Sequence, residues 1–194
     1  VPEKASASAR RSRNAPSSAL ACSAVSGGSS GVPFGGRAGW TVEHSHSGFN
    51  AFRHHLLRYR TASRLALYGE MVPNLVTARA ILDSVREGRI DVGPLDAYWP
   101  LLLATHHPAL TAGIRVPDST DVATLPAFVT AVSTPTSTIS ALRKAFASAR
   151  RRPWFGEYAD ALLIEGFAAV DTPDYARTLE WDRAAKAAGY AYPA

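Results

Sequence analysis

Sulfur is scarce in this sequence: Cys22 is its one cysteine, and a single methionine accompanies it among 194 residues. One cysteine excludes an internal disulfide and a zinc site built from several thiolates, and it gives no indication of the redox compartment. Long apolar runs are also missing, since the longest strongly apolar stretch, residues 101–104, is far shorter than the roughly 20 residues that cross a bilayer. The composition, 46% hydrophobic and 19% charged, is typical of a globular chain that buries one domain or two small lobes.

The formal net charge of +5 comes almost entirely from the first part of the chain. Residues 1–37 contain one acid, Glu3, so they account for +4 and the rest of the chain for about +1. The five basic residues in this part are Lys4, Arg10, Arg11, Arg13 and Arg37. A nucleic-acid partner is therefore not indicated, and we interpret the arginines at 150–152 as solvated groups that complement the dipole at a helix end.

The first thirty-six residues differ in composition from everything that follows. They are rich in Ser, Ala, Gly and Arg and show no hydrophobic periodicity. We interpret residues 1–36 as a disordered or non-native leader that forms neither helix nor strand. The alternative is a secretion signal with Cys22 as a lipid acceptor, but the apolar run before this cysteine is too short and too rich in serine.

Strand and helix patterns alternate along the remainder of the chain. Short apolar or β-branched runs predict strands at residues 39–42, 90–95, 114–116 and 127–132. Apolar residues at three- and four-residue intervals, together with capping residues, predict helices beginning near Ser47, from Thr77 to Gly88, and over 96–104, 138–151, 158–164 and 175–188. Such alternation predicts an α/β fold whose strands are mostly parallel.

Small hydroxyl residues and a glycine stand where the first of these strands turns into a helix. The segment 43–50 reads Glu-His-Ser-His-Ser-Gly-Phe-Asn. Helix N-termini expose backbone amides and the positive end of the helix dipole, so Ser45, Ser47 and the amides of Gly48 and Phe49 are candidates for holding an anionic oxygen cluster. The simpler interpretation is that Ser47 only caps the helix.

A second candidate lies at the end of the predicted strand 90–95. Asp96 follows this strand directly, and ligands of open α/β sheets bind at the carboxyl ends of strands. Its carboxylate can accept a hydrogen bond or a proton from a ligand, while Tyr98 or Trp99 forms a wall. The simpler interpretation is that Asp96 caps the next helix and that both aromatic residues belong to the core.

These two segments carry a resemblance to a known family. Residues 45–50, Ser-His-Ser-Gly-Phe-Asn, resemble the Ser-x-Ser-Gly-aromatic turn of the phosphate, phosphite and phosphonate binding proteins of ABC transporters. Residues 88–96 are similar to the Gly-x-x-Asp-Val-x-x-x-Asp segment of that family, and residues 126–129 are similar to its returning Pro-x-aromatic-Val strand. The resemblance covers the chain from about Arg37 to its end.

The resemblance implies a type II periplasmic-binding-protein-like fold, present as one near-complete lobe plus the returning part of the other. Residues 37–120 would form the ligand-gripping lobe, and 121–194 the return segment with C-terminal helices. It implies the solute-binding component of an ABC-type importer, not an enzyme, without cofactor or metal. The expected ligand is a small oxyanion such as phosphate or phosphonate, held by Ser45, His46, Ser47, Gly48, Phe49, Thr77, Asp96 and Tyr98.

The resemblance also implies partners and a location. The expected partners are the permease subunits of the transporter, in a periplasmic or extracytoplasmic location. Contact with a membrane would be made only through the transporter or a lost lipid anchor. Two departures from the family matter. Residues 74–77 replace a Gly-x-His turn, and most of the first lobe has no counterpart here, so we expect residues 139–146 to expose apolar surface.

Three other functions remain open at this point. An effector-sensing domain of a transcription regulator has the same fold class, although no helix-turn-helix is visible in residues 1–36. His44, His46, His54 and His55 suggest a metal site, but His54 and His55 are adjacent on a predicted helix and point about 100° apart. A hydrolase would need Ser45 or Ser47 as nucleophile, and the Gly-x-Ser-x-Gly elbow is missing.

Overall fold

A computed structural model describes residues 19–26, 31–42 and 46–193 of the chain. Its strands are β1 (Ala19–Ser26), β2 (Arg37–Gly39), β3 (Glu70–Val72), β4 (Val92–Asp96) and β5 (Arg115–Thr124). Its helices are α1 (Ala51–Leu56), α2 (Ala78–Arg86), α3 (Tyr98–His106), α4 (Pro108–Thr111), α5 (Thr136–Ser148), α6 (Phe155–Leu162) and α7 (Ala176–Ala187). A wide helical turn, His46–Asn50, leads directly into α1, and short 3₁₀ turns lie at Leu57–Tyr59, Ala149–Arg151 and Thr172–Tyr175.

The five strands form one mixed sheet in the order β3-β2-β4-β1-β5. Strand β2 is parallel to β3 and β4, with Gly39 opposite Val72 and Ala38 opposite Val92. Strand β1 is antiparallel to β4 and to β5, with Cys22 opposite Asp96. Consequently β2, β3, β4 and β5 all run in the same direction, and their carboxyl ends lie at one edge of the sheet. We call this the carboxyl edge.

Each face of the sheet carries its own hydrophobic core. On one face, Phe52 and Leu56 of α1 pack with Val92 and Ala38. On the other, Ile81, Leu82 and Val85 of α2 pack with Leu95 of β4 and Leu103 of α3. Val92 and Leu95 belong to opposite cores because successive side chains of a strand point to opposite faces. The sheet is therefore doubly wound, with α1 on one side and α2 and α3 on the other.

Strand β1 corrects the interpretation of residues 1–36 as a segment without regular structure. Ala19–Ser26 is a strand and is hydrogen-bonded on both sides, to β4 and to β5. Both partners lie far along the chain, so the local composition gave no indication of this pairing. Residues 1–18 and 27–30 lie outside the described residues, and the prediction of a non-native leader stays a prediction.

The strand predicted at 127–132 is also wrong. These residues form no strand, and Phe128, Val129 and Val132 are exposed. A β-branched or aromatic run becomes a strand only where a partner accepts its hydrogen bonds, and the chain leaves the sheet after Thr124. Strand β5 is correspondingly longer than the predicted 114–116, and the predicted boundary between residues 120 and 121 lies inside it.

The predicted helices are found with small shifts in their bounds, and α2 is the clearest of them. Thr77 caps it as predicted, since its hydroxyl oxygen accepts a hydrogen bond from the Ala80 amide at 3.1 Å. Gly88, with a φ of 67°, follows its last turn. Within the described ranges, none of the helices combines the length and the apolar character that a membrane span needs.

Candidate functional site

The carboxyl edge has a crevice between β2 and β4. The chain that follows β2 goes to α1 on one face, whereas the chain that follows β4 goes to α3 on the other face. The two segments therefore diverge between neighbouring parallel strands, which is the topological switch point of an open α/β sheet. The wide turn His46–Asn50 contacts β4, the strand that ends at Asp96. Ligands of such sheets bind at this position.

The wide turn His46–Asn50 is held from behind by aromatic packing. The Phe49 ring is 1% exposed and lies 5.1 Å from the Trp40 ring, centroid to centroid. Phe49 was predicted to contact the ligand through its backbone amide, and its buried ring belongs to the core, so only the backbone of this residue can reach a ligand. Gly48 is half-buried. The predicted site residue Ser45 lies outside the described residues, as do the side chains of His46 and Ser47.

The loop between β3 and α2 forms the next part of the carboxyl edge. It is attached to the chain after β2, because the Leu75 amide donates to the Trp40 carbonyl and the Val76 amide donates to the Thr41 carbonyl, both at 3.0 Å. Strand β2, at Arg37–Gly39, lies earlier in the chain than the predicted 39–42. The Thr77 hydroxyl is exposed, and while its oxygen accepts from Ala80, its hydrogen is available to a ligand oxygen.

Val76 has a strained backbone in this loop. Its φ is 64°, a left-handed conformation that costs a β-branched residue about 1–3 kcal/mol, and its side chain is exposed. Asn74, two residues earlier, is also left-handed with a φ of 60°. Backbone strain of this kind is concentrated at functional sites. No feature of the sequence predicted it, since valine is a typical strand residue.

Asp96 and Tyr98 lie beside each other at the end of β4. The half-buried Asp96 carboxylate accepts a hydrogen bond at 2.9 Å from the amide of Tyr98, the first residue of α3, so it satisfies one of the unpaired amides at the start of this helix. A carboxylate has further acceptor positions, so capping does not prevent contact with a ligand. Burial and the nearby Asp96 carboxylate raise the pKa of Tyr98, whose phenol donates to the Leu162 carbonyl at the end of α6. Tyr98 thus joins the crevice to α6.

His54 and His55 of the suggested metal site contact other residues of the fold. The His54 ring stacks on Trp181 at 5.6 Å between centroids, and His55 Nε2 lies 2.8 Å from an Asp118 carboxylate oxygen. Across the residues whose positions are described, no group of three or more potential ligand side chains is placed to hold a metal ion. His44 lies outside this part of the chain.

A cavity of about 430 Å³ opens further along the carboxyl edge, between the end of β5 and the beginning of α7. The Thr124 hydroxyl donates to the Asp174 carbonyl at 2.9 Å, and Arg177 donates to the Val122 carbonyl at 3.3 Å. None of the predicted ligand residues that the structure describes lines this cavity. Its polar groups attach α7 to β5.

Comparison with known proteins identifies the fold. No protein-family model and no curated protein sequence matches the chain. Among solved structures, the binding-protein component of an ABC phosphonate transporter (PA3383) from Pseudomonas aeruginosa matches with a TM-score of 0.71 and 10% identity, over 89% of this chain and 59% of that one. PhnD1 from Prochlorococcus marinus in complex with methylphosphonate matches with a TM-score of 0.71 and 12% identity, over 88% of this chain and 68% of that one.

A third solved structure, XAC2383 from Xanthomonas citri bound to ATP, matches with a TM-score of 0.60 and 15% identity, over 88% of this chain and 67% of that one. The chain thus spans between 59% and 68% of the length of these three proteins. The mixed sheet, the helices on both of its faces and these matches together confirm the predicted fold class: the chain has the α/β fold of the type II periplasmic binding proteins.

Proposed function

We propose that this chain is the solute-binding component of an ABC-type importer and that it holds a small phosphorus oxyanion in the crevice between β2 and β4. The observation that carries the proposal is the switch point: Asp96 ends β4, and the turn His46–Asn50, which follows the neighbouring parallel strand β2, contacts β4. Binding of this kind needs no covalent chemistry, so the proposed protein is not an enzyme.

The chemistry of this edge suits an anion that carries one acidic hydrogen. Three helices begin here, α1, α2 and α3, and the dipole of each favours negative charge near its first turn. The hydroxyl groups of Ser45, Ser47 and Thr77 can donate to phosphoryl oxygens. The Asp96 carboxylate would repel a bare oxygen but accepts a hydrogen bond from a P–OH group, so it favours the protonated anion.

The class of ligand is supported by two of the matching proteins. One was solved with methylphosphonate and another with ATP, and both ligands carry phosphorus-bound oxyanions. We therefore propose a phosphate or phosphonate group as the shared element that this chain recognises. The permease subunits of a transporter and an extracytoplasmic location follow from the same proposal.

The proposal is tested by titration calorimetry and thermal shift with phosphate, methylphosphonate, ATP and sulfate. At a ligand concentration of 100 Kd, binding to the folded state alone adds about 2.7 kcal/mol to its stability, which raises Tm measurably. We expect at least one phosphorus oxyanion to do so and sulfate, which carries no acidic hydrogen at neutral pH, to bind more weakly. No response to any of the four would contradict the proposal.

A variant of Asp96 and a matched control test whether the ligand binds at the carboxyl edge. Asp96→Asn keeps an oxygen for the Tyr98 amide and removes the charge, and we expect it to weaken binding by about 10-fold, the value of a hydrogen bond to a charged group. Ser63→Ala is the matched control, because Ser63 is an exposed residue in the turn beyond α1, at the opposite edge of the sheet. Equal affinities of wild type and Asp96→Asn would remove Asp96 from the site.

A further inference from the structure

Arg53 is a buried charged side chain that contacts the turn His46–Asn50 of the proposed anion site. It lies in the first turn of α1, three residues after Asn50, and it is 1% exposed. Removing a guanidinium from water costs several kcal/mol unless its charge and its donors are matched. Such a residue therefore needs a definite set of partners.

The partners of Arg53 connect two distant parts of the chain. Its Nη2 donates to the Asn50 side-chain oxygen at 3.0 Å and forms a short ion pair with Asp182 of α7. Its Nη1 donates to the Ala191 carbonyl at 2.8 Å, and its guanidinium lies 4.6 Å from the centre of the Phe49 ring. Arg53 thus holds the last two residues of the wide turn against the C-terminal part of the chain.

Asp182, the ion-pair partner of Arg53 in α7, is itself held in place by a second basic residue. Lys186, one helical turn after Asp182, donates to the other carboxylate oxygen at 2.7 Å. The hydrogen bond from Lys186 and then the one from Arg53 hold the pKa of Asp182 below its usual range, so the carboxylate remains charged at neutral pH. Helix α7 also contacts both α1 and the wide turn. The turn therefore rests on a support formed by residues 182–191.

We propose that Arg53 is a positioning residue for the anion site: it fixes the turn His46–Asn50 against the C-terminal segment, so that the groups at the start of the helix keep the geometry that binds an oxyanion. This rests on the proposed function. Groups that bind a small ligand must be held within about 0.5 Å of their productive positions, which packing and hydrogen bonds from behind provide. Arg53 itself does not touch the ligand.

A double variant separates positioning from stability. Replacing a buried ion pair by apolar residues of similar size is often neutral for stability, whereas removing one partner alone is not. Arg53→Met/Asp182→Leu should therefore fold with a Tm near that of the wild type. We expect its Kd for methylphosphonate, measured by calorimetry well below Tm, to rise by about 10-fold or more, as for other residues that orient ligand-binding groups.

The control variant is Arg89→Met/Glu87→Leu, which removes an exposed ion pair of 2.7 Å just after α2, at the opposite edge of the sheet. Its Kd should equal that of the wild type. Wild-type affinity in a folded Arg53→Met/Asp182→Leu protein would overturn the positioning role while leaving the proposed function intact. A wild-type protein that binds neither phosphate nor methylphosphonate would overturn the proposed function, and this inference with it.

If the double variant does not fold, Arg53→Lys tests the positioning role of Arg53 instead. A lysine ammonium can keep the pairing with Asp182 but cannot serve Asn50, Asp182 and the Ala191 carbonyl together in the planar geometry of arginine. We expect a folded protein whose Kd for methylphosphonate is raised several-fold, with faster hydrogen exchange confined to the amides of residues 48–51. An unchanged Kd would overturn the proposal.

Discussion

Two buried tyrosines on the α1 side of the sheet differ in one hydrogen bond. The Tyr190 hydroxyl donates to the Pro193 carbonyl at 2.6 Å. The Tyr68 hydroxyl has no hydrogen-bond partner among the described residues, although its ring packs against Phe34 and Phe52. A buried hydroxyl without a partner costs about 1–3 kcal/mol, whereas a satisfied one contributes about 1 kcal/mol. Removing the two hydroxyl groups should therefore change stability in opposite directions.

We expect Tyr68→Phe to raise the free energy of unfolding by about 1 kcal/mol and Tyr190→Phe to lower it by about as much. Urea unfolding at pH 7, followed by circular dichroism, measures both values. The two variants control for each other, since each loses one phenolic oxygen from a buried ring. A loss of stability in Tyr68→Phe equal to that in Tyr190→Phe would show that both hydroxyl groups are satisfied.

Burial also makes these tyrosines sensitive to alkali. It raises the pKa of both above the value of about 10 that tyrosine has in an unfolded chain. The folded state therefore binds protons more tightly, so this contribution to stability is complete below pH 10 and is lost as the pH rises above it. The free energy of unfolding should fall less steeply above pH 10 in Tyr68→Phe than in the wild type.

At the scale of single residues, the sequence patterns predicted where the crevice lies better than they predicted which side chains contact one another there. Thr77 and Asp96 lie at the carboxyl edge: Thr77 was predicted as the cap of a helix, and Asp96 as the residue that follows a strand. The Phe49 side chain is in the core, as expected from its place on the apolar stripe of the predicted helix. Arg53 was not singled out, since an arginine on a helix is usually solvated and two of its partners, Asp182 and Ala191, lie more than a hundred residues away.

At the scale of elements, Gly93 permits the close approach of β4 to its neighbours. A Cβ at this position would lie 2.8 Å from the Gly39 carbonyl oxygen and 2.8 Å from Ile81 Cγ2. The Gly39 oxygen is backbone in the adjoining strand and cannot move aside without disturbing the sheet. We expect Gly93→Ala to lower the free energy of unfolding by about 1–3 kcal/mol, the usual cost of overpacking.

The matched control is Gly156→Ala in α6, where a Cβ meets nothing within 4 Å. Alanine is the better helix former, so this variant should be neutral or more stable by about 0.5–1 kcal/mol. Chemical unfolding of the two variants under the same conditions provides the comparison. A neutral Gly93→Ala would mean that β4 and β2 are less tightly packed than described.

Elements defined by local interactions were predictable, and those defined by distant partners were not. Helix α2 has its cap, its apolar stripe and its terminal glycine within a dozen residues. Strand β1 and the residues at 127–132 show the opposite case, because the hydrogen bonds of a strand depend on what lies beside it. The sequence around 127–132 has high strand propensity, yet the chain has already left the sheet there.

At the scale of the whole molecule, residues 125–167 combine a small cluster of phenylalanine rings with several exposed apolar side chains. Phe146 stacks on Phe128 at 4.8 Å and lies 5.0 Å from Phe167, centroid to centroid. Helix α5 buries none of its 13 residues, and Phe128, Val129, Val132 and Trp154 are exposed. Within the segment 139–146, where apolar exposure was expected, Leu142 is exposed, whereas Ile139 and Phe146 are half-buried. Contiguous apolar surface of this kind is rare on soluble monomers.

We expect this surface to bind an apolar fluorescent dye and to promote association as protein concentration rises. Phe128→Ser/Val132→Ser should lower both the dye signal and the association seen by sedimentation. Leu65→Ser is the control, because Leu65 is an isolated exposed apolar residue elsewhere on the chain and should change neither. A monomer that binds no dye would contradict the prediction.

The fold class was predictable because alternating strands and helices admit few arrangements in one layered domain. The mixed direction of the sheet was not, since it depends on β1, whose composition gave no indication of a strand. The crevice follows from the connections alone: once β2 and β4 are neighbours and their helices lie on opposite faces, a cleft must open between them.

The central claim is that a phosphorus oxyanion binds at the carboxyl edge, and its most direct test is a titration of the ¹⁵N-labelled protein with methylphosphonate followed by amide chemical shifts. We predict shifts that saturate together at Gly48, Phe49, Thr77 and Asp96, with none at the turn 61–64 on the opposite edge. Shifts confined to that opposite edge, or no shifts at saturating ligand, would contradict the claim.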